Sequence, residues 1–468
     1  MSGVLVLEFN ELNLEAVKRM VGCGRLPNFA KLMQAGVVVK TTVEEEYVKL
    51  EPWIQWVSAH TGKRQDQHKA FNLSDIQHSN VRQIWEVLDA QGVACGVVSP
   101  MNARCGDLKK GFFIPDPWSV SNDTYPASMG PIYRFLAERV QSHNVSLEQG
   151  SSKFSFLKAC LRAGVPSADL LKLGKAYVAA RLNPRRKWTL AAELDRFLMG
   201  LTLAMRQRYN TEYTSVFMNA VAHYQHHYWT LHEPAYWAPK YPVLFAQRNP
   251  VADRNLGASD DPIAYGLQVY DDIIGRAVDA AGAGSVMILT GLSQVPFEGY
   301  EGGTGFYLYR PFDHEKLLDL LGIQCQKIAP LMSRDLMLYF SNDQTRAVAA
   351  KTLRETTVMG KPLFHCTEEA DSKLFCKVHY TFDVPADAVI VTPHAGGGLR
   401  FAEHFQLITF KTGHHSPEGW MIAPLTAFVP GAPVPEVINL EAVPTAVLRV
   451  MRMADAEELA TDLALSPV

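Results

Sequence analysis

The chain opens on Val4-Leu5-Val6-Leu7, four apolar residues in a row with a polar turn after them. A strand that is apolar on both faces is covered on both faces, so this run reads as the inside of a parallel sheet. Helical periodicity follows over 14–36, with Pro27-Asn28 starting a second helix inside it. Segment 53–60 reads as a helix or turn leading into Thr61-Gly62, 81–90 as an amphipathic helix, and 94–98 as another buried strand. Strand signals return at 215–218, 286–290 and 388–392, with a helix over 265–281 before the second of these. Strand and helix alternate, which predicts an α/β fold with a doubly wound, mostly parallel sheet and helices on both faces.

Between 125 and 210 the strand signal fades. Helical stretches at 168–182 and 190–207 dominate, Pro184 separates them, and Arg185-Arg186-Lys187 forms a small basic patch after the break. This pattern predicts a helical insert or cap over 125–210, set into a core formed by 1–124 and 211–468. Such an insert serves as a cap or partner surface, or else contacts an anionic substrate. The tail 455–468 reads as a small helix with a loose end.

Composition narrows the classes. With 47% hydrophobic and 20% charged residues over 468 positions, the chain has the balance of a soluble globular protein large enough for a sizeable core. A net charge of −3 without a long basic run argues against sequence-independent nucleic-acid binding. The seven cysteines are scattered and form no CxxC pair, which predicts reduced thiols and a cytoplasmic address. The apolar start is too short for a signal peptide, and no run approaches the roughly 20 apolar residues of a membrane span.

Chemistry concentrates at Gly413-His414-His415-Ser416-Pro417-Glu418-Gly419. Imidazole ligates metals and moves protons near neutral pH as few other side chains do. Laid in chain order, this and five further stretches resemble the alkaline phosphatase superfamily, in particular its type I phosphodiesterase/nucleotide pyrophosphatase branch. They are the first strand with Leu26-Pro27-Asn28-Phe29 and Gly36; Trp56 to His68 with Thr61-Gly62; Ile84-Trp85 through Gly92 to Pro100; Ala222-His223-Tyr224-Gln225-His226-His227-Tyr228-Trp229; and Tyr270-Asp271-Asp272 to Thr290. The resemblance implies an alkaline-phosphatase-like α/β fold. It also implies a phosphate or related ester as substrate, two metal ions that clamp the attacking and leaving oxygens, and a Ser or Thr nucleophile.

Against that pattern this chain has lost groups. The family's first metal-binding Asp falls on Asn10, and the nucleophile region reads Leu50-Glu51-Pro52-Trp53 with no Ser or Thr at the expected place. The Asp of the "D..QH" motif falls on Ala222, leaving His226; a second register places Asn219 and His223 there instead. The Asp-His pair of "SDHG" falls on Thr290-Gly291-Leu292-Ser293, and His415 matches the family's last ligand. One metal site is thus nearly deleted while the other keeps about two imidazoles, and a catalytic zinc usually has three protein ligands.

The candidate ligands are therefore His226, His415 and Glu8, with Glu11, Glu51 and His394 as other sources of a third. Glu51 and His415 are the candidate catalytic groups, and Asn10, Glu11, Trp53 and His394 the candidate substrate contacts. Each has a plainer reading: hydrogen-bonded buried histidines of a dead site, ordinary loop carboxylates, and an aromatic packing face at His223, His226 and His227. Gly396-Gly397-Gly398 reads as an anion cradle or as a flexible turn. The expected cofactor is one divalent metal, zinc or manganese, or none. The expected partner is a small-molecule or glycan substrate carrying an anionic ester, with no nucleic acid. The expected function is a divergent superfamily enzyme, a phosphodiesterase-like hydrolase or a group transferase. Its rivals are an inactive pseudoenzyme that binds or scaffolds, and a transferase with non-phosphoryl chemistry.

Overall fold

The computed structural model describes residues 3–43, 49–73, 75–119, 121, 123–141, 152–299, 306–330, 334–393 and 398–453. The expected tail helix at 455–468 lies outside them. The described chain divides into two compact units, one of 1–232, 255–295 and 413–468, the other of 233–254 and 296–412.

The first unit is built on an eight-stranded sheet. Its strands include β1 (Val4–Phe9), β2 (Val37–Thr42), β3 (Cys95–Val98), β4 (Gly111–Ile114), β5 (Tyr213–Met218) and β6 (Val286–Leu289). Across the sheet the order is Val437–Asn439, β2, Glu418–Ala423, β6, β1, β5, β3, β4. β1 pairs in parallel with both β5 and β6, and β3 with both β5 and β4. The Glu418–Ala423 strand runs antiparallel to β2 and β6, so the sheet is mixed and mostly parallel. This is the α/β architecture that the alternation predicts. Every residue of β1 is buried, which is why its sequence is continuously apolar apart from Glu8.

The helices stop and start where local chemistry requires it. Asn13 accepts from the Ala16 N–H at 2.9 Å and caps the Leu14–Gly22 helix. Pro27 occupies the first turn of the Pro27–Ala35 helix. Its free amides are taken by Asp271, which accepts from the N–H groups of Asn28 at 2.9 Å and Phe29 at 2.8 Å. Helices Lys153–Ala163, Ser167–Leu182 and Thr189–Tyr209 realise the predicted helical region. They fold as part of the first unit. The Thr189–Tyr209 helix lies directly on β3, β4 and β5, which ties this region to the sheet.

The second unit is largely antiparallel. A four-stranded sheet runs Phe364–Glu369, Lys373–Val378, Asp335–Tyr339, Lys327–Pro330, with the Asp343–Glu355 helix packed on it. A second small sheet contains Val389–Val391, which realises the strand expected at 388–392. The seven cysteines are free thiols, as their scatter predicts, and among the described residues no helix is long and apolar enough to cross a membrane.

Candidate functional site

β1 ends where two neighbours need it to. Asn10 and Glu11 leave the strand in a turn, and Glu11 takes a left-handed backbone with φ 54°. That conformation is unfavourable for a residue with a Cβ and persists only where surroundings over-determine it. Here they do. The Glu11 N–H donates to Thr290 O at 3.2 Å, and Glu11 O accepts from the Gln294 N–H at 3.0 Å and the Gln225 Nε2 at 2.7 Å.

The turn aims the Glu11 carboxylate into a polar cluster. Oε1 accepts from Asn10 Nδ2 at 2.8 Å, and Oε2 accepts from Gln294 Nε2. The Nε2 atoms of His226 and His415 lie 3.2 and 3.4 Å from the same Oε2. His226 comes from the Ala220–Tyr228 helix and His415 from the Gly413–Ser416 strand, which pairs with Ser293–Pro296. Burial pushes the Glu11 carboxyl up, but His415 and His226 beside it outweigh that and hold it well below the usual carboxylate range. Glu11 is buried, while His226 keeps about a third of its side chain exposed, so the cluster opens to solvent at His226.

Gly413 is what lets the histidine strand pass so close. A Cβ there would meet Gln294 Oε1 at 2.4 Å, Gln225 O at 2.7 Å and Trp229 Nε1 at 2.9 Å. On the far side of His415, Nδ1 lies 3.6 Å from Glu51 Oε2. Glu51 is the residue before the Pro52–Thr61 helix. An imidazole between two carboxylates, with one ring nitrogen toward each, has the layout in which an outer carboxylate fixes the tautomer of a ligating histidine.

Asn10 is fully engaged. Its Oδ1 accepts from Trp56 Nε1 at 2.7 Å, and its Nδ2 donates to Glu11 and, at 2.8 Å, to Asn219 Oδ1. The indole donor fixes which end of the amide is oxygen, and the nitrogen therefore faces the carboxylate. Trp56 also packs against the turn at Gly291. A Cβ on Gly291, whose φ is +69°, would come within 3.0 Å of its ring, and Leu292 beside it is fully buried.

Of the residues expected from sequence, the structure brings Asn10, Glu11, Glu51, His226 and His415 together. It does not bring Glu8 there: Glu8 lies inside the sheet, buried, 3.1 Å from the Nε2 of His60. Strand alternation sets this, because a residue within β1 takes the face the pleat gives it. Trp53 donates from Nε1 to Phe71 O at 3.1 Å and its carbonyl accepts from Asn102, outside the cluster. His394 and the first two glycines of 396–398 lie outside the described residues. The ring of His227 sits 4.5 Å from that of His223 rather than at Glu11; burial, with His223 and His226 adjacent, pushes its pKa well down. Gln294 and Trp56 were not expected as site residues, and no motif position marks either. Gln225 stands inside the "D..QH" stretch, where its conserved-looking spacing beside His226 was the available signal.

Three donor atoms of Glu11, His226 and His415 lie within 4.8 Å of one another. The two measured edges, 3.2 and 3.4 Å, match the edge of about 3.3 Å that tetrahedral bonds of about 2.0–2.1 Å give. One carboxylate and two imidazoles suit zinc or manganese in charge and donor type. The set therefore fits one ion, and among the described residues no second set of ligands is found.

No family model matches the chain, and no curated protein matches it. Solved structures do. A phosphonoacetate hydrolase from Sinorhizobium meliloti 1021, in complex with phosphonoacetate, is 10% identical with a TM-score of 0.43, covering 96% of this chain and 95% of its own. The alkaline phosphatase PafA is 13% identical with a TM-score of 0.38, covering 96% and 95%. A TAB5 alkaline phosphatase mutant with bound magnesium is 10% identical with a TM-score of 0.37, covering 96% and 98%.

Proposed function

We propose that the chain is a divergent enzyme of the alkaline phosphatase superfamily that acts on a phosphate or related ester, with a single divalent cation held by Glu11, His226 and His415. The observation that carries the reading is the convergence of two imidazole nitrogens on one oxygen of a buried carboxylate held ionised. A cation bound there supplies Lewis-acid polarisation of an ester oxygen and lowers the pKa of water. Glu51 faces the His415 ring from the Nδ1 side, its Oε2 at 3.6 Å, while Nε2 faces the cluster. Asn10 and Gln294 keep the Glu11 carboxylate in place from both of its oxygens. The Ser or Thr nucleophile of the family has no counterpart at Glu51, so the attacking group in this reading is water or an acceptor hydroxyl. The substrate is a small molecule or glycan carrying an anionic ester.

A second, metal-free reading is favoured by one observation: the Glu11 carboxylate is already satisfied by Asn10, Gln294 and the two histidines. In it the cluster is an ion-paired relic or a proton relay running from Glu51 through His415, and the protein is a binding protein or a transferase.

Metal analysis of protein purified without a metal-affinity tag separates the two. About one equivalent of zinc or manganese, lost in the His226→Ala, His415→Ala double variant, supports the first reading. No metal, with stability unchanged in chelator, overturns it. A turnover screen on aryl phosphate mono- and diesters then tests hydrolysis.

A further inference from the structure

The basic patch found at 185–187 belongs to a larger surface that the proposed chemistry does not use. Over 152–187 the sequence holds nine Lys and Arg against one acidic residue, although the chain as a whole carries a net charge of −3. All nine cations are exposed, while the acidic residue, Asp169, is buried and paired with Arg276 at 2.7 Å. The outer surface of this segment is therefore uniformly cationic.

The same surface is apolar in a regular way. In the Lys153–Ala163 helix, Phe156, Ala159, Cys160 and Ala163 face inward, and Phe154, Leu157 and Leu161 stand exposed on the opposite side. In the Ser167–Leu182 helix, Asp169, Leu173 and Ala180 face inward, while Leu171, Val178 and Leu182 stand exposed. The first set recurs at spacings of three, four and seven residues and the second at seven, four and eleven, each the spacing of one helical stripe. The stripes are flanked by Lys158 and Arg162 on the first helix and by Lys175 and Arg181 on the second. The inner faces of both helices rest on the Thr189–Tyr209 helix. Leu182 is 81% exposed and Phe154 75%, values that ordinary surface scatter of single apolar residues does not produce in repeated register.

We propose that this helix pair is a docking surface for an anionic lipid bilayer, with the two apolar stripes seated at the headgroup boundary and the nine cations among the headgroups. Exposed aliphatic stripes bordered by Lys and Arg are the chemistry of an interfacial helix, and long cationic side chains reach headgroups while their stems stay in apolar surroundings. Charge decides against a second copy of this chain as the occupant, because a two-fold contact would set the nine cations of one protomer against those of the other. The proposal uses none of Glu11, His226 and His415, so it stands whether or not that cluster binds metal.

The test is co-sedimentation of the full chain with vesicles of phosphatidylcholine alone and of phosphatidylcholine mixed with phosphatidylglycerol. Binding is expected only to the mixed vesicles, and weaker at high salt because the charges are exposed. Neutralising Arg185, Arg186 and Lys187 (each →Gln) is expected to weaken it on the order of a hundredfold, since each cation near an anionic surface contributes about a factor of five. Leu161→Ser and Leu171→Ser are each expected to weaken it about tenfold by removing an inserted aliphatic chain. An unchanged thermal midpoint shows that the variants are folded. The proposal is overturned by equal binding to both vesicle types or by no binding to either. It is overturned equally by indifference to the leucine variants, or by a dimer in sedimentation velocity that Leu161→Ser and Leu171→Ser dissolve.

Discussion

Restoring the family's carboxylate at the end of β1 should damage the protein unless metal is present. In Asn10→Asp, one oxygen still accepts from Trp56 Nε1, but the other replaces the Nδ2 that lies 2.8 Å from Glu11 Oε1 and 2.8 Å from Asn219 Oδ1. Two carboxylates at that separation repel by about 6 kcal/mol at an effective dielectric of about 20. The introduced group can escape by taking a proton, which at pH 7 costs about 4 kcal/mol for a carboxyl of ordinary pKa near 4. The smaller figure sets the limit, so a loss of up to about 4 kcal/mol is expected at pH 7. The sign of the pH dependence follows. A folded pKa above the unfolded value leaves no penalty below pH 4, and the penalty grows as the pH rises towards the folded pKa. Urea unfolding in chelator at pH 5 and pH 7 measures it, with the deficit small at the first and large at the second. Zinc or manganese should shrink the deficit at pH 7, because a cation between the two carboxylates removes their repulsion and stabilises the folded state by binding it. Equal stability of the two proteins at pH 7 in chelator would refute the placement of Asn10 Nδ2 against Glu11.

Glu51→Gln should leave the fold intact, since Glu51 is about a third exposed, and weaken metal binding about 10–100-fold by loosening His415; titration with zinc reads this directly. Gly291→Ala should destabilise by about 2–3 kcal/mol, from the left-handed backbone and the approach to Trp56, and an unchanged Tm would contradict the packing described. Asp195 is buried beneath the helix that carries His226. It accepts from the Ala220 N–H and from the Tyr270 hydroxyl, each at 2.8 Å, and burial pushes its pKa up to about 7. With the folded pKa above the unfolded value of about 3.9, its contribution to stability is fully present below pH 4 and declines as the pH rises towards 7. Asp195→Asn should therefore flatten the slope of stability against pH in that window, and an unchanged slope would exclude Asp195 as its source.

What the sequence disclosed follows from how strongly each element is patterned. Buried β1, β3, β5 and β6 are mostly apolar runs, broken only by Glu8 in β1 and Thr214-Ser215 in β5, and their type and order are legible. β2 reads Val-Val-Val-Lys-Thr-Thr, is only partly covered, and merges in sequence with the helix before it. The strands of the second unit bury alternate residues over short lengths, as in Lys373–Val378, and their pairing is set by partners elsewhere rather than by any local signal. Polar partners such as Gln294 carry no periodicity at all, so only the fold reveals that they hold a carboxylate.

The most instructive departure is the carboxylate itself. By motif position the family's Asp is lost at Asn10, and Glu11 is one residue out of register. Within a strand a one-residue slip turns a side chain to the opposite face, which makes Glu11 an unpromising replacement. The chain leaves β1 at that point, however, and the left-handed backbone of Glu11, fixed by Thr290, Gln294 and Gln225, swings the longer side chain back toward His226 and His415. Compared with the motif that this chain resembles, the negative charge stands one residue along, on a longer arm. Asn10 then becomes its support, with Trp56 orienting the amide. The same indole lies over Gly291, where the partners of a second ion would have to come from. Moving the carboxylate and filling the neighbouring ground with Trp56 are thus two aspects of one rearrangement. It predicts that Trp56→Phe would disturb Glu11 through Asn10 as well as the core. Loss of the indole donor should cost about 1–3 kcal/mol and free the Asn10 amide to flip. Zinc affinity and unfolding measured on the same variant would show both effects together, and a loss of stability with zinc affinity untouched would break the link.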